Sequence, residues 1–600
     1  MFLRCSTRKK NGKEHCYWSI VENKRCAGRK VVQRHVLYLG EINDQQQAAW
    51  QKTVEIYEQG RSQPRTVALF PEDRQLQVDE KDIVRIRLGE LQLRRPRQWG
   101  ACWLVCHLYE ELKLDEFWAQ RLPPSRKGTR WDLVLQTLCA YRFIDPGSEW
   151  RLHRQWFEGS AMADLLGEDF SLVDTHKLYE CHDLLVAHKS ALFDHLSGRW
   201  KDLFNAKFDV LLYDLTSTYF ESSPPFPEED KRKFGYSRDK RPDCVQVIIA
   251  LIVTPEGFPL AYEVMSGNTS DKTTLKGFLE KIEKQYGKAQ RTWVMDRGIP
   301  TEETLEAMRQ SDPPVLYLVG TPKGRLTKLE AKLAELPWQE ARPGVEVKLL
   351  AQEKETYVFV KSLDRLHKER SMRRRQLRGL WKRLKELQGM ELKRDLLLMK
   401  LGAARQQAPS AWKLVNLTLP PRPKKGQPLG PLEFSLRKDK LRKIRKREGR
   451  YLLRSNLRGY TAAQLWEMYL QLVQVEEAFK HLKGDLSIRP IFHQDEDRIQ
   501  AHIFVSFLAY CLHVTLTRRL KDLAPGLTAR SVLEKMAAMQ MIDVHLPTTD
   551  GREVILTRYT QPQAEQKILL EKLKLNLPEQ PPPKITQPKP TANAFVVQTS

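Results

Sequence analysis

Between residues 206 and 320 the chain alternates short apolar runs with amphipathic stretches. LLYDLTSTYF (211–220) is rich in β-formers, and VQVIIALIV (245–253) is a continuous apolar run of strand length. Pro255-Glu256-Gly257 makes a turn, and FPLAYEVM (258–265) reads as the returning strand of a hairpin. Asp271 is placed to cap the helix TTLKGFLEKIEKQYG, which ends at Gly287. TWVMD (292–296) predicts a buried strand, TEETLEAMR a helix and PVLYLVG (314–320) a further strand. The predicted order is strand, strand, strand, helix, strand, helix, strand.

Around this block the pattern differs. From about 99 to 205 apolar residues recur at three and four, as at Leu104, Leu108 and Leu112, in a helical block that also carries Arg130, Arg151 and Arg154. Before it, YWSIV and VVQRHVLYL around CAGRK predict a small β-hairpin, then a helix near 44–60 and a linker holding one strand, IVRIRL. After it, the charged run 361–400 predicts helix, PPRPKKGQPLGP (420–431) a loop, and TAAQLWEMYLQLVQVEEAFKHLKGDL (461–486) one long amphipathic helix. A second helix is expected from roughly Asp495 to Leu520, and the proline-rich end reads as a disordered tail. No run of about 18 apolar residues exists, which excludes a membrane span, and MFLRCSTRKKNGK lacks the apolar centre of a secretion signal. The expected division is a basic β module (1–60), linker (61–98), helical DNA-binding block (99–205), α/β core (206–320), insertion (321–460), second part of the core (461–525), C-terminal region (526–575) and tail (576–600).

Charge narrows the class of partner. Lys plus Arg total 100 against 75 Asp plus Glu, a formal charge of +25. The excess is clustered: residues 1–35 hold ten basic residues against two acids, 361–400 fourteen against five, and 437–450 nine against two. Clustering favours a polyanion, nucleic acid first, over solubility alone, and nominates Arg442, Lys443, Arg445 and Lys446 as backbone contacts. Nine scattered cysteines suit reduced thiols in a cytosol. Cys5, His15, Cys16 and Cys26 lack the close pairs of a zinc module, and Cys102, Cys106 and His107 read as core. His493 and His502 read as packing or DNA-facing residues ahead of metal ligands.

The strand order is that of an RNase H-like fold, interrupted here by an insertion domain. In such a sheet Asp214, which breaks an apolar run, would lie beside the strand that ends at Asp296. Carboxylates in such places are costly unless paired or bound to metal. A third from the 461–486 helix would complete a ligand set for two Mg²⁺ ions about 3.5–4 Å apart, one activating a water or 3′-hydroxyl and the other stabilising the departing oxygen. Taken singly, each Asp reads equally as a strand-end cap or turn residue.

YDLTSTYF, LIVTPEGFPLAYEVMSGNTSDKTTL, WVMDRG and YLQLVQVEEAFKHLK, in that order, resemble a DDE transposase of bacterial insertion sequences. The branch is the one marked by the signature Y-(2)-R-(3)-E-(6)-K, which carries a large insertion between the second Asp and the Glu. The signature falls on Tyr469, Glu476 and Lys483; its Arg falls on Leu472, a departure that either leaves Arg489 or Lys480 to take over that phosphate contact or leaves the contact absent. The resemblance implies Asp214, Asp296 and Glu476 as catalytic metal ligands, with Mg²⁺ replaceable by Mn²⁺. It also implies cut-and-paste transposition of double-stranded DNA, element ends and target, by a dimer in a synaptic complex. The location implied is the cytoplasm of a bacterium, at the nucleoid. A non-mobile resolvase-like nuclease and a domesticated DNA-binding protein without catalysis are the alternatives.

Helical periodicity separates Glu476 from its neighbour Glu477. At about 100° per residue, Tyr469, Glu476 and Lys483 stay within about 40° of one face, and Glu477 turns toward the flank. Glu476→Gln is therefore expected to lose nearly all strand cleavage and Glu477→Gln to retain most. The opposite ranking, in folded variants that bind DNA equally, would show the register to be wrong.

Overall fold

In the computed structural model all residues are described except 11–12, 26–30, 43–45, 48–49, 51–85, 222–225, 240, 288–290, 322–328, 330–334, 422–429 and 587–600. The chain divides into two units: residues 1–8, 15–287 and 473–600 form one, residues 9–14 and 288–472 the other. At the N-terminus β1 (Phe2–Lys10), β2 (Lys13–Arg25) and β3 (Val31–Gly40) make a three-stranded sheet. Cys5 and Cys16 are bonded, their Cα atoms 5.8 Å apart, which corrects the expectation that every thiol is reduced. Facing positions on neighbouring strands come within disulfide reach, and sequence spacing does not reveal that pairing. Cys102, Cys106, Cys139, Cys181, Cys244 and Cys511 are free and buried; Cys26 lies outside the described residues, as does most of the helix expected near 44–60.

The strand expected at IVRIRL is displaced. Its first three residues lie outside the described set, Ile86 makes a lone bridge to Thr548, and the strand that forms is β4 (Gln92–Gln98). Its polar sequence hides it because the buried Arg97 is neutralised by Asp164 at 2.6 Å and Asp543 at 3.0 Å. The helical block follows as expected, with α1 (Gly100–Glu111), α2 (Trp131–Ile144), α3 (Thr175–Asp183) and α4 (Lys189–Phe204). Leu104, Leu108 and Leu112 are fully buried, and α2 packs on both α1 and α3. Then β5 (Val210–Phe220), β6 (Val245–Val253) and β7 (Pro259–Ser266) form an antiparallel meander, and α5 (Asp271–Tyr286) covers one face of it. Tyr213 fixes that face: its hydroxyl donates to Thr274 at 2.7 Å and its ring lies 5.3 Å from Phe278. Ser270, not Asp271, is the N-cap of α5; Asp271 sits in the first turn, where an acid favours the helix dipole.

In the second unit β8 (Thr292–Met295), α6 (Glu302–Gln310) and β9 (Leu316–Thr321) form a crossover with the two strands parallel. The expected insertion begins with β10 (Gln339–Arg342), β11 (Val345–Ala351) and β12 (Thr356–Ser362). Helices α7 (Leu363–Gln388) and α8 (Arg394–Gln407) and the hairpin β13 (Val415–Thr418) with β14 (Glu433–Leu436) share a small core built on Leu380, Leu384 and Leu401. After α9 (Lys438–Arg447), β15 (Arg450–Ser455) returns to the sheet, so the strands of this unit run β10-β11-β12-β15-β9-β8, mixed in direction. The insertion thus extends a sheet and adds a helical lobe. α10 (Ala462–Leu470), capped by Thr461, packs across β8, β9, β11 and β12.

The single helix expected over 461–486 is two helices. α10 stops at Leu470, Gln471 and Leu472 close it with three-residue hydrogen bonds, and α11 (Val473–Lys483) begins anew. Apolar periodicity continues through the break and conceals it. α12 (Glu496–Leu523) starts at its Asp495 cap as predicted. It is long and apolar enough by composition to cross a membrane, which the search for an unbroken apolar run passed over, yet 94% of that window is buried within the protein. α13 (Ala529–Met536), β16 (Gln540–Pro547), β17 (Glu553–Tyr559) and α14 (Ala564–Leu573) follow. The expected tail is ordered in part: β18 (Lys584–Thr586) pairs with β17, while residues 587–600 lie outside the described set.

Candidate active site

Asp214 is half-buried in the middle of β5, between the buried Tyr213 and Leu215. Side chains alternate along a strand, so Asp214 points away from the face that Tyr213 presents to α5. Across the meander it faces Leu251, which faces Tyr262, and Tyr262 stacks on Phe507 of α12 with ring centroids 4.0 Å apart. α11 packs on β5, β6 and α12, so it belongs to the same layer. Val475, Ala478, Phe479 and Leu482 are its buried stripe, leaving Glu476 and Glu477 exposed. The two acids differ in surroundings. Burial pushes the Tyr510 phenol of α12 far up, and Cys511 and Glu477 add to the rise.

Lys483, at the end of α11, is occupied. Its ammonium donates to Asp239 Oδ1 at 2.9 Å, and Arg489 pairs with the other oxygen of the same carboxylate, its guanidinium 5.4 Å from the Tyr219 ring. Burial lowers the Lys483 pKa, opposed by the bond to Asp239. Arg489, one of the two residues expected to replace the signature Arg, therefore lies with Lys483; Lys480 is exposed on α11 and Leu472 is buried. Asp239 went unnoticed in the sequence, because nothing in YSRDK marks one acid as shared by two distant cations.

The second unit holds Asp296 immediately after β8, exposed, with Tyr469 reaching it from α10. The Tyr469 hydroxyl donates to Asp296 Oδ1 at 3.3 Å. Burial, with the Asp296 charge beside it, pushes this phenol well above its ordinary range and keeps it a donor. Trp466 anchors α10 by donating to the Tyr451 hydroxyl at 2.7 Å. Gly320 of β9 provides the room: a Cβ there would stand 2.5 Å from the Tyr469 hydroxyl and 3.3 Å from the Arg297 nitrogen. GTPKGR, which lacks the spacing of a phosphate loop, owes its first glycine to this approach. On α9 Leu441 faces inward while Arg442, Lys443, Arg445 and Lys446 are all exposed.

The Transposase DDE domain family model matches residues 205–512, more than half of the chain, and the IS1634 family transposase N-terminal domain model matches residues 3–68. The chain belongs to the DDE transposases of bacterial insertion sequences. It is a DNA transposase, an enzyme that cleaves DNA, and transposases of this type use divalent metal ions. A solved structure, the piggyBac transposase synaptic complex with hairpin DNA, is similar at 9% identity and TM-score 0.33, over 80% of this chain and 82% of that one. No curated protein matches.

Gly320→Ala is expected to push the Tyr469 phenol off Asp296, lowering cleavage about tenfold while costing less than about 2 kcal/mol of stability. Parallel cleavage rates and thermal melts of Gly320→Ala and Tyr469→Phe check this. Wild-type cleavage by a folded Gly320→Ala protein would remove the phenol from the mechanism.

Proposed function

We propose that this transposase moves its element by cut-and-paste, through a core in which Asp214, Asp296 and Glu476 hold two Mg²⁺ ions, with Mn²⁺ able to substitute. The observation that carries the reading is Asp214, a half-buried acid at the centre of β5 on the face where α11 packs. The meander β5-β6-β7, then α5, then the parallel pair β8 and β9, supports an RNase H-like core split by an insertion. Three carboxylates suit a hard cation that takes oxygen ligands. Bound there, the ions would supply activation of a water or 3′-hydroxyl and stabilisation of the leaving oxygen.

In this reading the protein's own groups divide the remaining work. Tyr469 orients the Asp296 carboxylate through its hydroxyl. Lys483 and Arg489 take DNA phosphates in exchange for Asp239, and Lys480 adds charge on the exposed side of α11. The basic face of α9 (Arg442, Lys443, Arg445 and Lys446) grips backbone, since contacts of this kind fix register without reading bases. Element ends and target are double-stranded DNA, brought together by a homodimer in the cytoplasm. The N-terminal β module and the helical block 99–205 serve end binding.

The test is to incubate the protein with linear DNA carrying its element ends, add Mg²⁺ and map the products. Cleavage followed by strand transfer is expected with Mg²⁺ or Mn²⁺ and neither with Ca²⁺; Asp214→Ala and Asp296→Ala should abolish both while DNA binding survives. Wild-type cleavage in excess chelator would sink the metal mechanism, and cleavage without strand transfer would favour the resolvase-like alternative. Separately, neutralising Arg442, Lys443, Arg445 and Lys446 together should flatten the slope of log affinity against log salt by about three to four units. An unchanged slope would make the α9 face a solvated surface.

A further inference from the structure

The mechanism above makes no use of a buried cluster assembled from four separate segments. Glu149 opens the short helix Glu149–Arg151, His182 lies near the end of α3, His493 precedes α12 and His502 lies in its second turn. Their side chains are 5%, 1%, 6% and 3% exposed. Around Glu149 Oε1 stand His493 Nε2 at 3.4 Å, His182 Nε2 at 3.5 Å and His502 Nδ1 at 3.7 Å. Donor atoms of Glu149, His493 and His502 lie within 4.8 Å of one another. Among the described residues His182 Nδ1 and His502 Nε2 have no hydrogen-bond partner, and His182 Nε2 has only the long contact to Glu149. Buried nitrogens left without partners are costly, and an ion is one of the standard reasons a fold retains them.

We propose that Glu149, His182, His493 and His502 bind one divalent transition-metal ion of the zinc class. Ligands about 2.0–2.1 Å from a tetrahedral ion stand about 3.4 Å apart, close to the separations around Oε1. Three imidazoles and one carboxylate suit zinc, whereas Mg²⁺ prefers oxygen and keeps its waters. Four protein ligands in a closed, dry setting describe a structural ion, separate from the catalytic carboxylates. Ligation needs neutral imidazole, the form that so buried a setting favours.

Arg142 opposes the ion. Its Nη2 stands 3.8 Å from Glu149 Oε1 and 3.5 Å from His502 Nδ1, while Nη1 donates to the Ser487 carbonyl at 3.3 Å. This guanidinium balances Glu149 without metal and weakens binding by like charge. The ion would rivet the segment after α11, which carries Arg489, to the helical block some 310 to 350 residues earlier in the chain.

The experiment uses the full-length protein, loaded with zinc, washed in metal-free buffer and assayed by mass spectrometry, then reloaded with cobalt. About one zinc per chain is expected in wild type and in Asp214→Ala, with a tetrahedral cobalt band in the visible spectrum. His493→Gln and Glu149→Gln should lose at least about four-fifths of the metal, and Arg142→Gln should bind it about tenfold more tightly. Because the ligand variants may not fold, the wild-type cobalt spectrum decides by itself: no tetrahedral band, with zinc under about 0.1 per chain, overturns the proposal. So does metal that survives in folded His493→Gln and disappears in His481→Gln, which would move it to the neighbouring His481–Asp485–His513 group.

Discussion

A carboxylate placed midway along a strand whose neighbours are buried sets the terms for the unit that carries it. Leu211, Leu212, Tyr213 and Leu215 bring β5 into the core, and the pleat turns Asp214, with Leu212, to the opposite face from the one Tyr213 presents to α5. Removing such a group from water is unfavourable unless a cation or donors attend it. The rest of the unit accommodates this. α5 lies on one face, where Thr274 and Phe278 meet Tyr213, while α11 and α12 share the other and leave Glu476 exposed to solvent.

Most of the central fold was legible because its periodicities are clean. VQVIIALIV could hardly be anything but a buried strand, and the turn Pro255-Glu256-Gly257 fixed the hairpin that follows. Asp214 and Asp296 stood out because each interrupts or ends an apolar run. What escaped notice depends on partners far away in the chain. β4 looks like a charged linker until Arg97 finds Asp164 and Asp543. The break at Gln471 and Leu472 carries neither Gly nor Pro, and the apolar stripe continues across it. Asp239 and Glu149 look like ordinary surface acids, and only the fold joins them to Lys483 and His493.

The insertion divides its labour by composition. Its strands β11, β12 and β15 carry the apolar residues and, with the polar β10 at the edge, make up most of the sheet of their unit, with Val347 and Val358 fully buried. Its helices satisfy a modest leucine core and leave most of their charge outside. Trp338, Trp381 and Trp412 are all half-buried: Lys348 and Lys361 lie over Trp338, Phe434 meets Trp381 edge-on, and Trp412 packs on the leucine core.

Asp239 is an internal counterion with two claimants. One carboxylate against Lys483 and Arg489 leaves a single net positive charge, held in place without any dissolved anion. A phosphate arriving there would exchange with a tethered acid that cannot diffuse away and stays ready to return. The electrostatic gain at this spot is therefore a difference between two strong pairings, small in size and sensitive to geometry. On the proposed reading such a pocket would discriminate by fit, accepting an anion only where it meets both cations better than the acid does.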